Sequence, residues 1–408
     1  MRDIGVCYIL DSFPNLSETF IIDEIFSVME HGIGCCVVSM HKPNINKMHN
    51  RAIHILNNAQ VYYYKDTGRI KKLSALVYNY FLRPLRTTKA IWLLMKERRN
   101  IWIAGEALAI LLDIRNSNIK HFHAHYADKA SHIALWLSKL MGVPFTFTTH
   151  GYDIFMNPPV DMNTLVLHSQ RMLTISEYNK NYIAKEFSVK RERIKVIHCG
   201  VFTDKMPFKD INNYNFIKHV NILTVARLVP EKGLSYLISA MNILKHDGID
   251  IKLRLIGEGP ERGMLMEMIH SLGLDDIVSL PGACEHDVVI DNLLEADCFI
   301  LPSLSEGIPI VLMEALATGV PSIATNINGI PELIIDGITG LLCEPGNSRE
   351  IANAVKKLRM DRCLRDRLVR KGRDKVVKEF DRTMCTGYLL SEFIHNRPSI
   401  DSTIKYYG

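Results

Sequence analysis

Short apolar runs alternate with amphipathic stretches along almost the whole chain. IGVCYIL (4–10), CCVVSM (35–40), IKHFHAHY (119–126), FTFTTH (145–150), RMLTIS (171–176) and IKVIH (194–198) read as strands. The segment SETFIIDEIFSVMEHG (17–32) carries helical periodicity, with Asn15 and Glu18 placed as a capping pair and Gly32 as its stop. After residues 201–215, which have the composition of a linker, the alternation restarts. Strands are expected in VNILTVARL (220–228), IKLRLIGEG (251–259), VSLPG (278–282), ADCFILPS (296–303), PSIATN (321–326) and GLLCEP (340–345). Helices are expected in 234–244, in 261–273 and in the apolar run that begins near Pro309 and stops at Gly319 and Pro321. Strand–helix alternation of this kind builds parallel sheets covered by helices, an α/β chain with two Rossmann-like halves.

Length agrees with two halves, because 408 residues exceed one comfortable core. The boundaries expected are 1–204, 205–380, and a terminal helical segment, 381–408, that packs back on the first half. Hydrophobic content of 47% with 23% charged residues describes a globular chain rather than a disordered one. No apolar run reaches the ~18 residues of a membrane span, and Asp11 and Pro14 interrupt the N-terminal strand before a signal peptide forms, so a cytosolic protein is expected. Nine scattered cysteines without a CxxC pair fit reduced, buried thiols. Net charge is only +5, but ten of the Lys and Arg residues fall between Lys65 and Arg99, interleaved with aromatic and aliphatic residues. That stretch suits an anionic membrane surface or an anionic acceptor, or simply a solvated helix face; no nucleic-acid-binding motif accompanies it.

Ligands of open parallel sheets sit beyond the carboxyl ends of the strands. Arg227 ends one strand and Lys232 lies a turn before the next helix, so two cations converge where a diphosphate would need neutralising. The turn Gly257–Glu258–Gly259–Pro260 offers backbone to a ligand, although it is not a GxGxxG fingerprint. The stretch SEGIPIVLMEALATGVP (305–321) places Glu306 and Gly307 ahead of a helix and Glu314 inside its apolar run. Eight helical residues span about 12 Å, so the two carboxylates are expected too far apart for a glycosidase pair at about 5–9.5 Å. Two hydroxyl-bearing ends of one elongated ligand, with phosphates between them against the helix N-terminus, fit better. In the first half, His125, His150 and Asp153 fall at strand ends. The alternation of His121, His123 and His125 raises the possibility of a metal, but no carboxylate–histidine spacing completes a ligand set.

Taken together, these segments resemble the retaining glycosyltransferases of family 4. The resemblance rests on Arg227, Lys232, Glu306-x7-Glu314, TISEYNK (174–180) and HCGV (198–201). YILDSFPNLSETFI, HAHYA and FTTHGYDIF narrow it to the bacterial exopolysaccharide enzymes of the colanic acid and amylovoran type. It implies a GT-B fold, two Rossmann-like domains facing across a cleft, and transfer of a hexosyl group from a nucleoside-diphosphate sugar, UDP-sugar favoured over GDP-sugar, to a lipid-linked saccharide. By the same resemblance Glu314 binds the ribose, Glu306 the sugar, and amides from Gly307, Ile308, Pro309 and Ile310 the phosphate. Arg227 and Lys232 neutralise the leaving diphosphate, and His150 meets the transferred sugar. No metal and no cofactor are expected. One departure is the loop after the first strand, DSFPNLSETF, which lacks the glycines common in the family; Ser17 and Thr19 stand in their place as acceptor-side candidates with His125 and Asp153. The rivals are a sugar-nucleotide epimerase of the same fold, a non-catalytic subunit of a polysaccharide complex, and an NAD dehydrogenase, the last weakened by the missing GxGxxG.

Overall fold

The computed structural model describes residues 4–15, 18–43, 48–64, 101–209, 216 and 219–394. Ser17 and the basic stretch from Lys65 to Arg99 lie outside the described residues. The chain divides into two compact units: 1–175 with 180–197 and 386–408, and 176–179 with 198–385.

The first unit holds a seven-stranded parallel sheet of β1 (Ile4–Ser12), β2 (Gly34–His41), β3 (Gln60–Tyr63), β4 (His121–His125), β5 (Phe145–Thr149), β6 (Arg171–Thr174) and β7 (Ile194–Val196). Their spatial order is 3-2-1-4-5-6-7, so the winding direction reverses between β1 and β4. The second unit repeats the plan in six parallel strands. These are β8 (Val220–Val225), β9 (Ile251–Ile256), β10 (Val278–Gly282), β11 (Cys298–Leu301), β12 (Ser322–Thr325) and β13 (Leu341–Cys343), in the order 10-9-8-11-12-13. Here the reversal falls between β8 and β11. Crossovers leaving in opposite directions from such a point open a crevice at the strands' carboxyl ends.

Both central strands are buried on both faces, which is why they read as continuous apolar runs. The core of the first unit joins Phe122, Phe145, Phe147 and Trp136; that of the second joins Ile222, Leu253, Leu237 and Ile300. Leu389 and Phe393, from the helix Arg382–Ile394, enter a core cluster with Val6, Tyr8 and Ile25 of the first unit. Glu392 of the same helix pairs with Lys195 at 2.9 Å and with Arg171 at 3.2 Å.

The helix expected in 17–32 spans Thr19–Glu30, and its capping differs from the expectation. Glu18, not Asn15, occupies the N-cap position; its Oε1 accepts from the Tyr126 hydroxyl at 3.0 Å, and Asn15 also bonds its side chain. A distant tyrosine competes for the carboxylate, and local spacing carries no sign of it.

Candidate functional site

In the second unit, β8 runs into Ala226, Arg227 and Leu228, followed by a single 3-10 turn, Pro230–Lys232. Glu231 O accepts the Leu304 amide at 2.8 Å, so this loop is zipped to the loop after β11. Gly233 completes the fit. Its φ is +59°, and a Cβ there would stand 2.4 Å from Pro302 O. Close backbone approach at the switch point is what carries Lys232 to Glu306 across 74 residues of sequence. Their side chains form an ion pair, both largely buried, and the Ser303 hydroxyl donates to the same Glu306 oxygen at 2.9 Å. Asn328 Nδ2 holds the Glu306 carbonyl at 3.0 Å. Arg227 is exposed, and no carboxylate pairs with it among the described residues. The loop after β8 thus carries one restrained cation, Lys232, and one open cation, Arg227.

Glu314 lies in the helix Ile310–Ala317 and is only 6% exposed. A carboxylate buried among Leu312, Met313 and Leu316 needs a polar partner, and His286 supplies it, with Nε2 at 2.7 Å from Glu314 Oε1. His286 opens the helix His286–Glu295 just beyond the carboxyl end of β10. Sequence reasoning missed this residue. Its one available signal was its place after a strand end, in GACEHD.

The structure also corrects the helical-distance argument. Glu306 is in a loop, four positions before the helix begins at Ile310, so helical rise does not set its separation from Glu314. Pro309 is the N-cap residue, with ψ 128°, rather than the first helical residue. Having no N–H, it donates nothing, which reduces the expected amide set to Gly307, Ile308 and Ile310. Gly329 is pressed against this loop, because a Cβ there would stand 2.8 Å from Gly307 O.

The glycines of the GEGP turn have the chain's own backbone close beside them. Gly257 has φ +150° and Gly259 φ +159°, and Cβ atoms on them would fall 1.8 Å from Ala226 O and 2.4 Å from Leu228 O. The backbone that comes close is the chain's own, bonded through Leu228 N to Glu258 O at 2.9 Å. These glycines thus set the path of the Arg227 loop. The Glu258 side chain turns to Arg262 at 3.3 Å.

In the first unit, His125 ends β4 and His150 follows β5, and His125 Nδ1 lies 2.9 Å from His150 Nε2. The His150 ring is packed between Phe20 and Tyr126, at centroid distances of 4.6 and 5.0 Å. Asp153 is a clamp for this corner. Its Oδ1 accepts the amides of His150 (3.0 Å) and Gly151 (3.1 Å), and its Oδ2 accepts that of Ala127 (2.9 Å). Burial pushes its carboxyl up, against the lowering effect of those amide bonds. Both of its oxygens accept amides, so Asp153 fixes this loop. Thr19 is the first residue of its helix and half-buried. The strand histidines differ from the sequence expectation too. Glu24, on the helix Thr19–Glu30, brings a carboxylate to His123 and His125, with ligand atoms of all three within 4.8 Å of one another. Spacing along the chain does not reveal it, since a hundred residues intervene.

Comparison with known proteins places both halves. Residues 210–375 match the model for glycosyl transferases group 1, and residues 61–205 match that for glycosyltransferase family 4. With two Rossmann-like parallel sheets and the Arg227–Lys232–Glu306 loops at the second switch point, the chain belongs to the family 4 glycosyltransferases of GT-B fold. Within that family it is 27% identical to a protein of Escherichia coli named as a colanic acid biosynthesis glycosyltransferase, WcaL, over 95% of this chain and 98% of the relative. It is 28% identical to the amylovoran biosynthesis glycosyltransferase AmsK of Erwinia amylovora, over 90% and 94% of the two chains. Among solved structures, Anabaena Alr3699/HepE in complex with UDP and glucose superposes with a TM-score of 0.72 at 18% identity, covering 95% of this chain and 98% of that one. No described helix is long and apolar enough to cross a membrane.

Proposed function

We propose that this glycosyltransferase moves a hexosyl group, with retention, from a UDP-sugar to a lipid-linked saccharide during exopolysaccharide assembly. The observation that carries the reading is the gathering of Arg227, Lys232 and Glu306 at the topological switch point of the second sheet. Departure of a nucleoside diphosphate builds negative charge on its β-phosphate, and preorganised cations lower that barrier most. Arg227 and Lys232 supply them, Glu306 holds Lys232 in place and takes sugar hydroxyls, and Glu314 takes the ribose diol. His150 meets the transferred sugar. The names of the relatives support the exopolysaccharide setting, and the UDP complex of the structural neighbour supports the nucleotide class. No divalent ion is required at the diphosphate, so the rate is unchanged by added Mg²⁺ or Mn²⁺. The basic stretch Lys65–Arg99, outside the described residues, is assigned to an anionic membrane surface on the cytosolic side.

A thermal-shift panel of UDP-, GDP- and ADP-sugars tests the donor. UDP-sugars should raise the melting temperature in proportion to ln(1 + [L]/Kd). Absence of any shift would remove the donor assignment. Proton NMR of the newly formed linkage decides the stereochemistry: an anomeric configuration opposite to the donor's would exclude retention. Charge reversal across Lys65–Arg99 should abolish low-salt binding to anionic vesicles, and unchanged partitioning would exclude the membrane assignment.

A further inference from the structure

The pair His123 and His125 lies on one face of β4, two residues apart, with Nε2 atoms directed at Glu24. Glu24 sits within the apolar stripe Ile21, Ile25, Val28 of its helix, a place where a carboxylate without a purpose is costly. All three residues are more than nine-tenths buried. Glu24 Oε1 stands 3.2 Å from His125 Nε2 and 3.6 Å from His123 Nε2. Yet His125 Nε2 makes no hydrogen bond; the carboxylate oxygen is near enough but out of line with the ring N–H direction.

That combination has a simple geometric solution. Ligands at about 2.0–2.1 Å from a tetrahedral zinc are about 3.3–3.4 Å from each other, and each lies off the other's lone-pair axis. The separations of 3.2 and 3.6 Å bracket that edge. The outer contacts are also those of a ligand set. His123 Nδ1 meets Thr146 Oγ1 at 2.8 Å and His125 Nδ1 meets His150 Nε2 at 2.9 Å, so each ring is held by its far nitrogen; His123 Nε2 also lies 3.2 Å from Thr148 Oγ1, a contact that a bound metal would displace.

We propose that Glu24, His123 and His125 form a zinc-class cation site in the first unit, completed by one water. The metal would tie β4 to the helix Thr19–Glu30. Coordination through His125 Nε2 leaves the proton on Nδ1, which donates to His150 Nε2; His150 then presents its Nδ1–H to a ligand. This last consequence rests on the sugar-contact reading of His150; the metal site does not. It is separate from the diphosphate site, which lies in the second unit.

The test uses the full-length chain with a tag that binds no metal, purified without chelator, and metal content measured by plasma mass spectrometry. Stoichiometric zinc is expected, and cobalt reconstitution should show four-coordinate ligand-field bands. Glu24→Gln and His125→Gln should each lower zinc affinity by about 10–100-fold, whereas His270→Gln, on an exposed helix, should not. Should the variants fail to fold, the wild-type metal content and cobalt spectrum decide alone. A metal-free protein whose melting temperature does not respond to zinc or chelator overturns the proposal and leaves a proton-bonded network. Zinc retained undiminished in Glu24→Gln and His125→Gln also overturns it.

Discussion

His286 Nε2 lies 2.7 Å from Glu314 Oε1 and ties the helix after β10 to the buried carboxylate of the helix after β11. The two residues are 28 positions apart, and the contact is made by the parallel sheet that sets both helix starts at the same edge. A hydrogen bond to a charged group is worth about 1.5–3 kcal/mol. His286→Ala should therefore raise the donor KM by about tenfold or more while changing kcat less, and His286→Gln should restore part of the loss. Initial-rate kinetics at varied donor concentration decide it; an unchanged KM would detach Glu314 from donor binding.

Lys232→Ala removes one of two cations at the switch point and leaves the Glu306 carboxylate to the Ser303 hydroxyl. Loss of a preorganised donor to a developing oxyanion costs about 10²–10³ in kcat. A thermal melt close to wild type, alongside that loss in rate, would assign Lys232 to the reaction. A melt that collapses in step with activity would assign it to folding.

Gly257→Ala should damage the second unit, since its Cβ would be forced to 1.8 Å from Ala226 O at φ +150°. Strain of this kind costs about 1–3 kcal/mol before any clash is added. Gly263, in the helix Arg262–Ser271 with nothing within 4 Å of an added Cβ, is the control. There alanine should be neutral or stabilise by about 0.5–1 kcal/mol. Urea unfolding of both variants checks the contrast.

Asp128 caps the helix Lys129–Met141, its Oδ1 accepting the Ala130 amide at 2.8 Å. Burial pushes its carboxyl from 3.8 up to about 7, partly opposed by that amide bond and by His132, and reinforced by Asp11 and Asp153. The folded state thus holds this proton more tightly than the unfolded chain. The resulting stability is fully present below about pH 3.8 and is lost as pH rises through about 7. Asp128→Asn keeps the cap without the charge. It should be more stable than wild type at pH 8, with a flatter pH profile between pH 4 and 7; a parallel profile would refute the linkage.

Much of the fold was legible along the chain. Apolar runs such as IGVCYIL and CFIL could only be strands buried on both faces, and their alternation with helices dictated two parallel sheets. Arg227, Lys232 and Glu306 stood out as candidates because residues in the loops after strands of such a sheet collect at one edge. Other features were not. GEGP reads as a plain glycine turn, and nothing along the chain shows that its glycines pass against the carbonyls of Ala226 and Leu228. Asp153 looked like a polar site residue, yet three amides engage it.

Periodicity and turn chemistry are properties of neighbours along the chain, so the sequence by itself determined the elements, their order and the side on which chemistry collects. Partners were decided only in three dimensions: His286 for Glu314, Tyr126 for Glu18, Glu24 for His123 and His125. A buried polar atom must find a partner wherever packing brings one, and packing, not spacing, chooses which.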